Sequence, residues 1–284
     1  MVSFLATPPS PGGPASGVVD VDGVRLAWTR SGPRSPTRPS LVLAHGLTDS
    51  ADTWRRVGER LAQSHDVVRY DARGHGSSDR TQDYSAEAHT RDLVGVVRAL
   101  GLNRPVLVGH SMGGIHATLA ARELAVRALV LEDPAWPQVP QDGSKDVADS
   151  RRRVVEVAGL TEDERRAVGR ARHPSWHLVD VETWSRAQTR LDPDVVGWFR
   201  SWRTRNAWRG HVSGLDVPGL LLIGDAEPAA VAVLPGMADE ARRLWPLLQV
   251  EQVDGAAHDV RRDRFDAFAR ALTGFLAGLD TLGP

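Results

Sequence analysis

The chain has 284 residues, 41% hydrophobic and 25% charged, the mixture of a soluble globular protein with one α/β domain plus an insertion, or with two modest domains. Its 35 basic and 36 acidic side chains leave a net charge of −1, so no basic surplus points to nucleic acid or an anionic membrane as partner. Cysteine is absent, which excludes disulfides, thiolate zinc sites and a cysteine nucleophile.

Met1 to Gly17 is rich in Pro and Gly and has no basic residue ahead of an apolar core, so it does not read as a signal peptide. A disordered leader is expected over 1–17. No apolar run approaches the ~18 residues that cross a bilayer, so a cytoplasmic location is the default. Val18–Val21 and Val24–Thr29 flank Asp22-Gly23, a hairpin-turn pair. A Pro-rich loop, Ser31–Ser40, precedes a buried-strand run at Leu41–Ala44, which ends at His45-Gly46-Leu47-Thr48. Trp54, Val57 and Leu61 recur at helical spacing, and Asp66–Asp71 supplies the next strand. Leu93, Val94, Val97 and Leu100 mark a helix closed by Gly101 at the position just past its C-cap.

Pro105–Val108 is a strand running straight into Gly109-His110-Ser111-Met112-Gly113-Gly114, and a small-residue helix follows from Ile115. Ala128–Leu131 is another strand, reaching Glu132-Asp133-Pro134. Strands at Gly219–Ile223 and Leu248–Val253 and a helix striped by Phe265, Phe268, Leu272 and Phe275 complete the chain. The alternation predicts an α/β fold, a mostly parallel sheet with helices on both faces. Between Pro134 and about Leu215 no strand pattern occurs, charged helical stretches dominate, and six of the nine Trp residues fall there. A helical cap is expected over 134–215, inserted into a core formed by 18–133 and 216–284.

Gly109-His110-Ser111-Met112-Gly113 fits the G-x-S-x-G nucleophile elbow. A serine on a sharp strand-to-helix turn adopts strained dihedrals, and glycines two positions either side let neighbouring backbone pass. The turn would lift the Ser111 hydroxyl clear of the sheet at a helix N-terminus, where the Met112 amide could bind a developing oxyanion. An ordinary turn with a capping serine is the competing reading.

With that context the chain resembles the α/β-hydrolase superfamily over residues from about 18 to 280. The resemblance rests on His45-Gly46-Leu47 after an early strand, Asp71-Ala72-Arg73-Gly74-His75-Gly76-Ser77-Ser78 after the next, the elbow at Ser111, and His258 near the C-terminus, in this order. It implies that Leu47 supplies the second oxyanion amide and that the Asp71–Ser78 stretch shapes the fold.

Of ten histidines, His258 is the expected base. It follows the last strand in the small-residue loop Gly255-Ala256-Ala257, at the sheet edge that carries Ser111. The acid has two candidate loops. The commoner family position, Gly-x-x-Asp after the cap, reads Gly224-Asp225-Ala226-Glu227, which puts Glu227 at the matching offset. Some family branches instead carry a Glu after the strand that follows the elbow, which maps onto Glu132. An acid at the end of an apolar strand needs a partner, and a cationic histidine would be one. Glu132 is favoured, then Glu227, Asp133 and Asp225.

These residues predict a serine hydrolase that cleaves an apolar ester or lactone through an acyl-enzyme, with neither a metal nor an organic cofactor. Serine at position 111 argues against epoxide hydrolase and haloalkane dehalogenase chemistry, because those branches use Asp there. Trp136, Trp176 and Trp184 are candidate pocket residues that could stack on an aromatic or macrocyclic substrate, or else simply glue helices together. Perhydrolase, acyl transferase or C–C hydrolase chemistry is the alternative, and a non-catalytic ligand receptor the less favoured one. Oligomeric state cannot be read from the sequence.

Overall fold

A computed structural model describes residues 4–5, 14–136, 144–203, 208–227 and 230–281. Its strands are β1 (Phe4–Leu5), β2 (Ala15–Val21), β3 (Val24–Ser31), β4 (Leu41–Ala44), β5 (Val67–Tyr70), β6 (Val106–His110), β7 (Ala128–Glu132), β8 (Gly219–Gly224) and β9 (Leu248–Val253). They form one sheet in the order β1-β2-β3-β5-β4-β6-β7-β8-β9. Pairing is antiparallel from β1 through β3 to β5 and parallel from β5 to β9. The strands β4, β6, β7 and β8 are buried along their whole length. Covering both faces of a parallel sheet explains why they read as continuous apolar runs.

The helices are α1 (Arg55–Leu61), α2 (Ala86–Ala99), α3 (Met112–Ala120), α4 (Ser144–Gly159), α5 (Glu162–Arg172), α6 (Leu178–Gln188), α7 (Asp194–Arg203), α8 (Trp208–Val212), α9 (Pro235–Leu244), α10 (Val260–Asp263) and α11 (Phe265–Asp280). One core face gathers Leu93, Val96 and Val97 of α2 with Leu107, Leu129, Leu131 and Leu221. The opposite face gathers Val106, Val108, Val130 and Leu222 with Phe268, Leu272, Phe275 and Leu276 of α11. The two sets alternate along each strand, as the period-two pleat requires.

Local signals hold where backbone chemistry forces them. Asp22 and Gly23 both take positive φ, 53° and 83°, as a type I′ hairpin demands. Gly101, φ 62°, lies just past the C-cap of α2, and the next amide, that of Leu102, bonds back to Val97. The expected leader is partly corrected. β2 begins at Ala15 because β3 offers paired backbone as far as Arg30, and Phe4–Leu5 pairs with β2; the rest of 1–13 lies outside the described residues.

Between β7 and β8 the described residues form α4 to α8 and no strand. The last of these helices belongs to the main core rather than to a separate layer. Trp208 and Val212 of α8 pack in the α2/α3 face with Trp136, whose ring stacks on Trp208 at 4.6 Å. No helix among the described residues is long and apolar enough to cross a membrane.

Candidate active site

The site lies where the winding of the sheet reverses. β4 pairs with β5 on one side and β6 on the other, so the loops after β4 and β6 diverge and leave a crevice at the carboxyl ends. Ala44 sits opposite Gly109 in the register, which sets His45-Gly46-Leu47 beside His110-Ser111.

Ser111 takes φ 52° and ψ −116°, a conformation that L-residues rarely adopt. The glycines make it possible. A Cβ on Gly109 would stand 2.4 Å from the Gly113 carbonyl oxygen, and one on Gly113 would stand 2.3 Å from that of Ala44. Strand and helix can meet at so sharp an angle only without those side chains.

His258 bridges two groups. Its Nε2 lies 2.9 Å from Ser111 Oγ and its Nδ1 2.6 Å from Asp133 Oδ2. Asp133 is fully buried, and its carboxylate also accepts from the Ala232 and Val233 amides at 2.7 and 2.9 Å. With both oxygens already accepting, the carboxylate fixes the proton on His258 Nδ1 and leaves Nε2 to accept from the serine hydroxyl. Burial disfavours the charged imidazole. The hydrogen bond and charge of Asp133, with Asp259 and Glu132 behind it, outweigh that and raise the His258 pKa above its usual 6.5.

Glu132, the favoured acid of the sequence reading, is not placed against the histidine. It ends β7 in the regular pleat, on the face of Val130, and turns to Arg261. Its Oε1 accepts from the Arg261 amide and its Oε2 from the guanidinium, both at 2.8 Å. One residue later the chain leaves the strand with φ 35° at Asp133, and this break aims the Asp133 carboxylate at His258. Asp225 instead pins the histidine loop by accepting from the Gly255 amide at 2.5 Å, and Glu227 is exposed.

Sequence reasoning missed the ion network under the site. Arg261 bonds Glu132 and Asp49, and Arg262 bonds Asp49 and Asp259, all buried or nearly so. Burial would raise the Asp49 pKa, but Arg262, His110 and Arg261 overcome it and hold the carboxyl well below the usual range. Two adjacent arginines one residue past a His-Asp pair, facing an Asp just past the His-Gly loop, are the signal that could have been weighed. Asp49, His110 and Asp259 bring ligand-type atoms within 4.8 Å of one another. Guanidinium groups already compensate both carboxylates, so the trio reads as part of the ion network rather than as a metal centre.

Met112 opens α3, where an amide has no carbonyl in its own helix to bond. The Leu47 amide donates to no described residue, while the Leu47 carbonyl accepts from His75 Nε2 at 2.7 Å. His45 braces the same loop: Nδ1 donates to the Gly46 carbonyl and Nε2 accepts from the Ala72 amide. Burial lowers its pKa to about 4, which keeps this neutral tautomer in place. Asp71 ties the next loop down by accepting from the Ala51 and Ser77 amides.

A cavity of about 530 Å³ opens over Ser111 and His258, walled by α4, α5, α6 and α7. Trp176 and Trp184 line it with Val154, Val157 and Val196. Trp136 does not, because its indole is committed to Trp208. The wall is not wholly apolar, since Arg153 and Arg172 also border the space.

A family model described as the alpha/beta hydrolase fold matches residues 39–260. The chain belongs to the α/β-hydrolase fold family. It is accordingly a hydrolase, and similar proteins share nearly its whole length. It is 31% identical over 288 residues to an N-formylmaleamate deformylase of Pseudomonas putida KT2440, covering 92% of this chain and 96% of that one. An sn-1-specific diacylglycerol lipase of Mus musculus is 32% identical, over 85% of this chain and 82% of its own. The solved structure of an N-formylmaleamic acid deformylase from Pseudomonas putida S16 superposes with a TM-score of 0.76 at 25% identity, covering 91% of this chain and 99% of that one.

Proposed function

We propose that the protein is a serine hydrolase in which Ser111 attacks a carbonyl carbon and passes through an acyl-enzyme. The observation that carries this reading is the continuous chain of contacts from the Asp133 carboxylate through His258 to the Ser111 hydroxyl. His258 Nε2 takes the Oγ proton as attack begins, and the Leu47 and Met112 amides hold the resulting oxyanion, each worth ~3 kcal/mol in such a role. The imidazolium then protonates the leaving group. Water, deprotonated by the same ring, releases the acyl group. Helices α4 to α7 act as the cap that screens this chemistry from solvent.

Carboxylic esters and lactones are the first substrate class. A formyl amide is the second, because a relative matching nearly the full chain is named for deformylating N-formylmaleamate.

The pH profile tests the base. Activity requires neutral His258, and Asp133 stabilises its charged form, so activity is lost as pH falls through a value above 6.5. A plot of kcat/KM for a short p-nitrophenyl ester should rise through a single acid limb centred above pH 6.5 and level off beyond it. A limb centred well below that value would remove His258 from the base role.

A further inference from the structure

The charges around the cavity are divided unevenly between its floor and its cap wall. The floor holds Asp49, Glu132 and Asp259 against Arg261 and Arg262, and Asp133 adds a further carboxylate behind His258. It is therefore net negative while His258 is neutral. The cap wall is the reverse. Arg153 of α4 and Arg172 at the end of α5 both border the cavity, and among the described residues the only carboxylates lining it are the floor's Asp49 and Asp259.

Neighbouring arginines on these helices show that this is not the general habit of the surface. Arg151 pairs with Asp194, Arg152 with Asp149, and Arg166 with Glu162. Among the described residues Arg153 donates only to the Asp149 carbonyl one turn earlier, and Arg172 makes no hydrogen bond or ion pair with any of them. Arg170 also lacks a carboxylate partner among the described residues but does not line the cavity.

We infer that the pocket selects acyl substrates bearing a carboxylate at the end remote from the scissile carbonyl, and that Arg153 and Arg172 receive it. This rests on the reading of Ser111 as nucleophile. The two guanidiniums attract the remote anion, and the negative floor repels it from the catalytic end, so one substrate orientation is favoured over the reverse. A singly charged carboxylate suits this polarity better than a dianionic phosphate, which the floor would repel more strongly. Trp176, Trp184 and the valines then pack the methylene chain between the two ends. The substrate is thus amphiphilic rather than wholly apolar.

Two esters that differ only at the far end decide it: the p-nitrophenyl monoester of adipic acid, and p-nitrophenyl hexanoate. At low ionic strength the wild type should favour the adipate ester by about tenfold in kcat/KM. That ratio should fall about tenfold in the double variant Arg153→Gln/Arg172→Gln, and should be largely kept in Arg153→Lys/Arg172→Lys, which retains both charges. In the wild type it should also shrink between about 0.01 M and about 1 M NaCl, a readout that needs no variant. Equal kcat/KM for the two esters in the wild type, or a ratio unmoved by the Gln double variant, would overturn the inference. Hydrolysis of either ester persisting in Ser111→Ala would instead count against the serine reading, so the two failures are told apart.

Discussion

Ser111→Ala is expected to lower kcat for any ester substrate by roughly 10⁴- to 10⁶-fold while the fold persists. The hydroxyl forms the new bond, and among the described residues no other side chain hydrogen-bonds to His258 Nε2 to replace it. Alanine accepts the φ of 52° no worse than serine, and the glycines that make the bend possible remain. The melting temperature should therefore move by only a few degrees. Stopped-assay kinetics and a thermal melt on the same preparation check both halves. A variant keeping more than a few per cent of wild-type kcat would contradict the assignment.

Asp133→Asn against Glu132→Gln is the second large contrast, and it separates chemistry from architecture in adjacent residues. Asparagine at 133 must turn its amide nitrogen either to the Val233 amide, in place of Oδ1, or to both the Ala232 amide and His258 Nδ1, in place of Oδ2. A donor faces a donor in either pose, and the tautomer that leaves Nε2 free to accept is no longer enforced by a charge. A loss of roughly 10⁴-fold in kcat follows, and the acid limb moves to lower pH because the charge that raised the His258 pKa is gone. Glu132→Gln removes the charge facing buried Arg261. Breaking such a pair costs about 3–5 kcal/mol in stability. At a temperature where the variant is folded, it should retain most of its kcat. Denaturant melts and kinetics on both variants give the answer, and a larger catalytic loss at 132 than at 133 would reverse the two roles.

The sequence made the sheet, the elbow and the histidine loop legible because each is enforced by something local. Glycines at 109 and 113 meet backbone within 2.4 Å if substituted, and the buried strands have no polar face to show. The acid was not legible at single-residue precision. Glu132 and Asp133 are neighbours in sequence, and only the pleat and the positive φ that ends β7 decide which one turns to His258. Arg261 competes for the other carboxylate, and that guanidinium reaches Glu132 across 129 positions, a separation no local pattern encodes. Trp136 was misread for a similar reason. Its place in the helical insertion suggested the pocket, yet Trp208 follows it back into the main core. The arginines of α4 and α5 were visible as composition only; their facing the cavity without a carboxylate partner among the described residues is a property of the folded chain.

Covalent capture addresses the claim on which everything else depends. Treating the protein with a fluorophosphonate and mapping the labelled peptide by mass spectrometry should place one adduct on Ser111, formed in step with the loss of hydrolysis and slowed when His258 is protonated. Complete inactivation with the label on any other side chain, or full Ser111 labelling with undiminished turnover, would contradict it.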